Sequence, residues 1–302
     1  MAVDAADQTT VGAALTAATN RLRESGSPSP RLDAELLVAH AAGRDRAWLL
    51  AHPEATVTTD ASASLEGWLA RRAAGEPIAY IRGFKEWLSL RIRTDARALI
   101  PRPETELLAE AAIAEAARRL ARDDAQITAW DLGTGSGALA VALALRFRVA
   151  LQLGRFRLTA SDWSPDALEL GAENLAAHGV EPLVTLACAD LLEPAGSSLP
   201  RPDLIVANLP YVEAAEVNEA AGSLAHEPRM ALNGGADGLD LVRRLLADVP
   251  KRVAPGATLL LEIGAGQADA VRELAPAGAS VQMQADLAGV ERVVRIEVGD
   301  RA

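Results

Sequence analysis

Residues 130–137 read Trp-Asp-Leu-Gly-Thr-Gly-Ser-Gly, between an apolar stretch typical of a strand (127–133) and a stretch typical of a helix (137–149). A glycine-rich turn at such a junction lets a ligand approach the backbone, and the first amides of the helix face that ligand. The glycine spacing differs from the Gly-x-Gly-x-x-Gly of dinucleotide-binding folds. Asp131 adds a negative charge that would repel a pyrophosphate and tolerate a cationic ligand. The stretch therefore predicts a ligand-binding turn.

Strands and helices alternate on both sides of this turn. The sequence predicts seven strands, at 127–133, 158–163, 184–190, 203–209, 258–264, 280–286 and 291–298. It predicts helices from Pro103 to about Arg122 and at 137–149, 165–178, 238–252 and 267–275. Such alternation indicates an α/β fold, a doubly wound and mostly parallel sheet with helices on both faces. Only residues 287–290 separate the last two strands, so that pair is expected to be antiparallel.

The first hundred residues have a different pattern. Leucines and tryptophans recur at helical spacing between breakers such as 25–30 and Gly43, which predicts a small N-terminal helical bundle. Residues 80–100 alternate and predict a short hairpin. We therefore expect a helical domain at 1–80, a hairpin linker at 81–100 and an α/β domain at 101–302.

Composition excludes several classes of protein. Half of the 302 residues are hydrophobic and 24% are charged, which is typical of a globular chain. The longest apolar run, 138–145, is too short for a membrane span, and no signal peptide is visible. The single cysteine, Cys188, excludes a disulfide framework and is expected in the core. The four histidines are scattered, so we expect no metal, no membrane association and a cytoplasmic location.

The acidic excess is confined to one part of the chain. Residues 1–100 carry 12 basic and 12 acidic side chains, whereas residues 101–302 carry 18 and 29, which accounts for the net charge of −11. Such a surface does not suit a phosphate backbone, so no stable nucleic-acid binding is expected, but it suits a basic protein partner. The acidic loop 213–237, with Glu216, Glu219 and Glu227, is predicted to contact that partner.

Two carboxylates end predicted strands next to the glycine turn. Asp162 can accept both hydroxyls of a ribose, the role of an acidic residue at this position in nucleotide-binding sheets. Asp190 can accept from an adenine amine, with Leu191 packed on the ring. Each could instead cap a helix or end a strand in solvent.

The residues Asn208-Leu-Pro-Tyr211 end the fourth predicted strand. A planar amide or exocyclic amine is a poor nucleophile because its lone pair is delocalised. The Asn208 side-chain oxygen and the Leu209 carbonyl can accept its two hydrogens, and Tyr211 can stack on its plane. These contacts would align the lone pair with a methyl group, and such orientation lowers a barrier by up to ~7–11 kcal/mol.

With these motifs, the chain resembles the release factor glutamine methyltransferases, the PrmC/HemK family of class I S-adenosylmethionine-dependent enzymes. The glycine turn alone indicates only a methyltransferase, whereas residues 99–106 (Leu-Ile-Pro-Arg-Pro-Glu-Thr-Glu) together with Asn-x-Pro-Tyr are more specific. The other matching segments are 31–37, 75–81, 131–137, 227–228, 231–235, 238–240 and 261–264, with Gln267.

The resemblance implies methyl transfer from S-adenosylmethionine to the glutamine side-chain amide in the Gly-Gly-Gln loop of peptide chain release factors. It implies the strand order 3-2-1-4-5-7-6 and a release-factor-binding role for the helical domain. The implied substrate-binding residues are Asn208, Leu209, Pro210 and Tyr211, of which Asn208 and Tyr211 are catalytic. The implied cofactor-binding residues are Gly133, Thr134, Gly135, Ser136, Gly137, Asp162, Asp190, Leu191 and Asn208.

One residue departs from the family pattern. Leu209 stands where the family usually has proline, and Asn-Leu-Pro-Tyr resembles the motif of ribosomal RNA adenine dimethyltransferases. The alternative function is therefore an adenine amino-methyltransferase acting on ribosomal RNA or DNA. A non-catalytic S-adenosylmethionine-binding module and a nicotinamide-dependent oxidoreductase are further alternatives. The sequence also leaves open whether Arg102 and Glu104 lie near the cofactor or form a salt bridge.

Overall fold

The computed structural model of the protein describes residues 9–122, 126–194 and 199–299. They form two compact units. The first contains the described residues up to Phe84 together with Ala221–His226, and the second contains Lys85–Ala220 and the described residues from Glu227 onward. The domain boundaries predicted from the sequence stay a prediction. Within the described ranges, no helix is long and apolar enough to cross a membrane.

The first unit is built from helices around a leucine-rich core. Leu22 and Leu37 are fully buried in that core. A buried ion pair joins Arg72 to Asp33 at 2.8 Å, and the Arg72 Nη1 donates to the Ser223 hydroxyl at 2.9 Å. This bond ties the separate segment Ala221–His226 to the unit. The helices are α1 (Val11–Glu24), α2 (Pro30–Ala42), α3 (Arg46–Ala51), α4 (Thr59–Ala73) and α5 (Ile78–Arg82).

The hairpin predicted at 80–100 is shorter than expected. Residues Ile78–Arg82 form α5, which ends at Gly83 in the left-handed conformation with φ 73°. The hairpin itself consists of β1 (Phe84–Trp87) and β2 (Leu90–Arg93), joined by Leu88 and Ser89 with φ 47° and 59°. The alternation of apolar residues at the start of the stretch was too short to separate a strand from a helical turn.

The second unit contains one eight-stranded sheet, in the order β6-β5-β4-β3-β7-β8-β10-β9. Without the two-residue β6, its strands follow the predicted order 3-2-1-4-5-7-6. The last strand pairs antiparallel with both of its neighbours, β8 and β9, and this confirms the expected antiparallel final pair. The strands are β3 (Ile127–Leu132), β4 (Phe156–Asp162), β5 (Val184–Asp190), β6 (Glu193–Pro194), β7 (Leu204–Ala207), β8 (Thr258–Glu262), β9 (Ser280–Ala285) and β10 (Glu291–Glu297).

Helices cover both faces of this sheet, as predicted. Side chains of β7 alternate between the two faces: Leu204 joins the cluster with Leu108 and Leu143, and Ile205 joins the cluster with Leu245. The predicted α/β fold is confirmed. The helices are α6 (Thr105–Leu120), α7 (Ala138–Arg146), α8 (Arg148–Gln152), α9 (Pro165–Ala177), α10 (Ala214–Glu219), α11 (Asp240–Arg252) and α12 (Ala268–Leu274).

The expectation that Cys188 belongs to the core is wrong. Its side chain is exposed, and its thiol donates weakly to the Trp163 carbonyl at 3.8 Å. The residue lies on β5, which is followed at the edge of the sheet only by the short β6. This part of the sheet is covered less completely than its centre.

Asn174 of α9 holds the glycine turn and the hairpin together. Its side chain is fully buried, and its Oδ1 accepts from the Arg93 amide at 2.7 Å. Its Nδ2 donates to the carbonyls of Arg93 at 3.1 Å and Ser136 at 2.8 Å. One side chain therefore satisfies backbone groups of two segments that are distant in sequence.

We expect Asn174→Ala to lower the free energy of unfolding by about 2–4 kcal/mol, because it leaves the buried Ser136 carbonyl and part-buried backbone groups of Arg93 without their partner. Urea unfolding of purified protein measures this change. Asn20→Ala, on the exposed side of α1, is the matched control, with an expected change within about 0.5 kcal/mol. Equal effects of the two substitutions would contradict the role of Asn174.

Asp131, in β3, is completely buried. Its Oδ2 accepts from the Thr134 hydroxyl at 2.6 Å, which ties the strand to the turn that follows. Burial raises the pKa of Asp131 to about 7, and the nearby Asp162 charge acts in the same direction, whereas the Thr134 hydroxyl lowers it. The folded protein thus binds this proton more tightly than the unfolded chain.

A carboxyl whose pKa is raised by folding stabilises the protein at low pH and loses that contribution as the pH rises through the folded pKa. For Asp131 the window runs from pH 3.8 to about 7. Asp131→Asn keeps an acceptor for Thr134 but does not titrate. As the pH rises through this window, we expect its free energy of unfolding to increase by up to about 4 kcal/mol relative to wild type. Urea unfolding at a series of pH values tests this, and a difference that does not change with pH would rule it out.

Candidate active site

The second unit contains a cavity of about 470 Å³ at the carboxyl ends of β3, β4, β5 and β7. The strand order reverses between β3 and β7, and open α/β sheets bind ligands at such a point. The volume lies within the range of roughly 300–1,000 Å³ for small-molecule sites. The predicted site residues that line it are Gly133, Thr134, Gly135, Ser136, Asp162, Asp190, Leu191, Asn208, Leu209 and Pro210.

Gly137 and Tyr211, which were also predicted as site residues, are absent from the described lining of this cavity. Gly137 has φ 76°, and a Cβ there would lie 3.0 Å from the Cα of Gly171 in α9. Glycine at 137 therefore allows the turn and α9 to approach closely. Its ligand contact stays a prediction.

Leu209 packs against the glycine turn. It is buried, and a Cβ at Gly133, whose φ is 68°, would lie 3.3 Å from the Leu209 side chain. The side chain that departs from the family pattern thus fills space beside the turn. Glycine at 133 meets two needs, the positive φ and this contact.

Asp162 supports the turn from the end of β4. Its Oδ2 accepts from the Gly135 amide and its Oδ1 from the Ser164 amide, both at 2.9 Å. Burial raises the pKa of Asp162, and the amides of Ser164, Gly135 and Trp163 lower it. Each carboxylate oxygen accepts more than one hydrogen bond, so the group can also accept from a ligand diol in the cavity.

Asp190 ends β5, and Leu191 follows it. The Asp190 Oδ2 accepts from Arg244 Nη2 at 2.7 Å, which leaves Oδ1 for a ligand amine. Leu191 has φ 53°, a left-handed conformation that is strained for leucine and is typical of functional sites. Both residues line the cavity, and their contact with a cofactor stays a prediction.

The Asn208 side chain is oriented by a neighbour. Its Nδ2 donates to the Thr105 hydroxyl oxygen at 3.0 Å. This bond uses one of the two Nδ2 hydrogens and holds the amide nitrogen toward Thr105, so the amide oxygen can accept from a ligand. That polarity is the one needed to hold the N–H groups of a substrate.

Tyr211 lies against β8. Its hydroxyl donates to Glu262 Oε1 at 3.4 Å, and its carbonyl accepts from Gln267 Nε2 at 3.1 Å. Glycine at 264 leaves room for the ring, since a Cβ there would lie 3.2 Å from it. Burial and the Glu262 charge raise the pKa of Tyr211 to about 12, so the phenol stays protonated near neutral pH.

Arg102 combines both roles that the sequence left open. It lines the cavity, and its Nη2 donates to Glu227 Oε1 at 2.6 Å. Glu227 is buried, and its Oε2 accepts from the Ile100 amide at 3.0 Å. The expectation that Glu227 contacts a basic partner is therefore wrong, because its buried carboxylate accepts hydrogen bonds from the Ile100 amide and from Arg102. Glu104, at the start of α6, is exposed.

Sequence reasoning missed several residues of this region. Trp163 follows Asp162, lines the cavity and is 68% exposed, so its ring is available to a flat ligand. Thr105 and Glu262 lie inside segments that carry the resemblance, but their contacts with Asn208 and Tyr211 join positions far apart in the chain. Across the described ranges, no group of three or more His, Cys, Asp or Glu side chains could hold a metal ion.

Two family descriptions match the chain. Residues 13–83 match the PrmC N-terminal domain, and residues 107–249 match the methyltransferase small domain. A solved structure of a release-factor-specific protein-(glutamine-N5) methyltransferase from Alicyclobacillus acidocaldarius is 30% identical. The match covers 68% of this chain and 99% of that chain, with a TM-score of 0.39.

Curated relatives extend over nearly the whole chain. A release factor glutamine methyltransferase of Deinococcus radiodurans is 40% identical over 282 residues, which cover 93% of this chain and 96% of the relative. One from Koribacter versatilis is 37% identical over 289 residues, 94% of this chain and 97% of the relative. At this identity and coverage, the chain belongs to the release factor glutamine methyltransferase family.

Proposed function

We propose that this protein transfers a methyl group from S-adenosylmethionine to the glutamine side-chain amide in the Gly-Gly-Gln loop of peptide chain release factors. The observation that carries the proposal is the orientation of Asn208. Its amide nitrogen donates to the Thr105 hydroxyl oxygen at 3.0 Å, and Asn208 lines the same cavity as the glycine turn. A methyl donor on the turn and a substrate amide on Asn208 would share one cavity.

The residues of the cavity fit S-adenosylmethionine. Asp162 has acceptor capacity for the ribose hydroxyls, Asp190 for the adenine amine, and Trp163 offers an exposed ring beside them. Gly133 and Gly135 leave the backbone of the turn without side chains. The side chains nearest to a Cβ built at these two positions are those of Leu209 and Ala98. When bound, the cofactor supplies an electrophilic methyl group on a sulfonium.

On the substrate side, the chain orients a weak nucleophile. The Asn208 oxygen and the Leu209 carbonyl accept hydrogen bonds from the two N–H groups of the glutamine amide. The lone pair of the amide nitrogen then faces the methyl group. The nitrogen becomes acidic as it gains the methyl group and releases one proton, so no strong base is required. Tyr211 stays protonated and does not accept the proton; its stacking on the amide plane stays a prediction, because the residue is absent from the described lining of the cavity.

The adenine alternative receives less support than the glutamine substrate. The motif with Leu209 resembles that of adenine dimethyltransferases, but Leu209 is buried against the glycine turn. Its side chain therefore fills a packing position and does not indicate a nucleic-acid substrate. Relatives that match over 93% of the chain carry the glutamine methyltransferase name.

The helical unit is the proposed binding region for the release factor. It presents the partly exposed apolar side chains Leu32 and Leu50, which a protein partner could cover. Release factors act in the cytoplasm, and we propose that location for this protein as well.

The proposal predicts that the protein transfers label from S-adenosylmethionine to a purified bacterial release factor and not to the same factor with Gly-Gly-Gln changed to Gly-Gly-Ala. Filter binding measures the transfer, and mass spectrometry of the peptide locates the methyl group. Label on the glutamine of the first factor alone supports substrate and site together.

The same assay contains the competing outcome. Protein-free ribosomal RNA and DNA are offered under identical conditions. Label on nucleic acid, with none on the release factor, would establish the adenine alternative. Label on none of them, with cofactor binding retained, would leave the non-catalytic binding module as the function.

Asp162→Ala is expected to weaken S-adenosylmethionine binding roughly 10- to 100-fold, because it removes charge-assisted hydrogen bonds to the ribose and the acceptor of the Gly135 amide. Isothermal titration calorimetry measures the affinity. Asp166→Ala, an exposed position in the first turn of α9, is the matched control and should bind like wild type. An unchanged affinity for Asp162→Ala would remove its ribose-binding role.

A further inference from the structure

The turn between the last two strands of the sheet carries the most exposed large hydrophobic side chain of the described residues. Leu287 is fully exposed, whereas Leu153, the next most exposed, is 69% exposed. Removing a leucine side chain from water is favourable, so a partner that covered Leu287 would bind more tightly. The residue is absent from the described lining of the cavity, so the proposed chemistry does not use it.

Hydrogen bonds to one carboxylate hold this turn together. Asp286 Oδ1 accepts from the amides of Ala288 at 2.9 Å and Val290 at 3.0 Å. Asp286 Oδ2 accepts from Arg292 Nε at 3.2 Å, and the Asp286 amide donates to the Val290 carbonyl at 2.8 Å. Leu287 is therefore presented on a preformed turn, and little conformational freedom is lost when a partner covers it.

The turn lies at the same edge of the sheet as the cavity. β10 runs antiparallel to β8, with Val293 paired to Glu262, the last residue of β8. The Arg292 carbonyl accepts from the Ile263 amide at 2.9 Å, so the chain that enters β10 lies beyond the carboxyl end of β8. This is the edge at which Asn208 follows β7.

The distance along this edge is short enough for one protein substrate to span. Three steps lead from β7 through β8 and β10 to β9, and at about 4.8 Å per step they add up to about 14 Å. A typical protein interface covers about 800 Å² on each partner, which corresponds to a disc about 16 Å in radius. An interface centred on Asn208 would therefore include the turn.

The surface around Leu287 suits a protein partner. From Ser280 to Val290 the sequence contains one charged residue, Asp286, whose carboxylate is bound to Arg292 and to backbone amides. In the described ranges β9 pairs with β10 alone, so its other edge is unpaired. Edge strands usually carry charges or proline that prevent pairing with other chains, and β9 has neither. Uncharged exposed surface of this kind is typical of interaction sites.

We propose that Leu287 and the β9–β10 turn form a contact site for the folded release factor, outside the cavity that would take the glutamine. The occupant is an apolar depression on the release factor, away from the Gly-Gly-Gln loop, that covers the leucine. This inference rests on the proposed function, because it adds a second point of contact for the same substrate. The contact contributes to affinity for the release factor and not to the methyl transfer step.

The test compares variants of the full 302-residue chain that change only this side chain. Leu287→Asp should raise the KM for the release factor at least about 10-fold, as for loss of an interface anchor, and Leu287→Ala should raise it less. Leu287→Met keeps an apolar side chain of similar volume and should resemble wild type. In all three, kcat and the Kd for S-adenosylmethionine should stay within about twofold of wild type, because uniform binding is lost and the cavity is unchanged.

Leu153→Asp is the matched control. Leu153 is also exposed and lies between α8 and β4, at the opposite edge of the sheet, so the same added charge there should leave the KM unchanged. Calorimetry with S-adenosylhomocysteine bound to the enzyme measures the Kd for the release factor without turnover. Contact is tested by placing the photo-crosslinking residue p-benzoylphenylalanine at position 287 or 153, and release factor should be captured at 287 alone.

The outcomes separate this inference from the proposed function. A KM in Leu287→Asp within twofold of wild type would overturn the inference, as would an equal rise in Leu153→Asp. Light scattering tests the other occupant, a second copy of this chain, and a wild-type dimer that Leu287→Asp dissociates would also overturn it. Release factor that binds wild type without receiving a methyl group would overturn the proposed function, and the Kd series would then decide on Leu287. No binding of release factor by wild type would overturn both.

Discussion

Side chains hold the glycine turn after β3 from three sides, and the cavity depends on that support. Asp162 accepts from the Gly135 amide at 2.9 Å, Asp131 accepts from the Thr134 hydroxyl at 2.6 Å, and Asn174 donates to the Ser136 carbonyl at 2.8 Å. The turn has positive φ at its glycines, so its backbone groups cannot all bond within a regular helix or strand. The conformation that leaves space for a ligand is thus fixed by partners from β3, β4 and α9.

The central strands of the sheet could be located because they carry apolar runs, whereas the strand order was expected only from the family resemblance. The strand predicted at 184–190 has those bounds in the structure. The failures have local causes. The short alternation at the start of the predicted hairpin does not define a period, so it did not distinguish the helix Ile78–Arg82 from a strand. Cys188 is exposed because its strand lies near the less covered edge of the sheet.

The candidate site could be predicted only in part, for a physical reason. Residues that end or directly follow strands, such as Asp162 and Asn208, reach the cavity because parallel strands end at one edge. Their supporting contacts come from elsewhere: Thr105 lies 103 positions before Asn208, and Glu262 lies 51 positions after Tyr211. Residue spacing carries no signal for such pairs. Glu227 shows the converse, since an acidic residue in an acidic loop is buried against Arg102 and the Ile100 amide.

The segment Ala221–His226 gives the chain an unusual modularity. It belongs to the helical unit, although the residues before and after it belong to the other unit, so the polypeptide passes between the two units three times. A single cut near Phe84 would therefore not yield two whole units, because Ser223 would be separated from Arg72. Recombination could exchange the helical unit between relatives only if this short segment were exchanged with it. The two stretches are expected to evolve as one module despite the 136 residues between them.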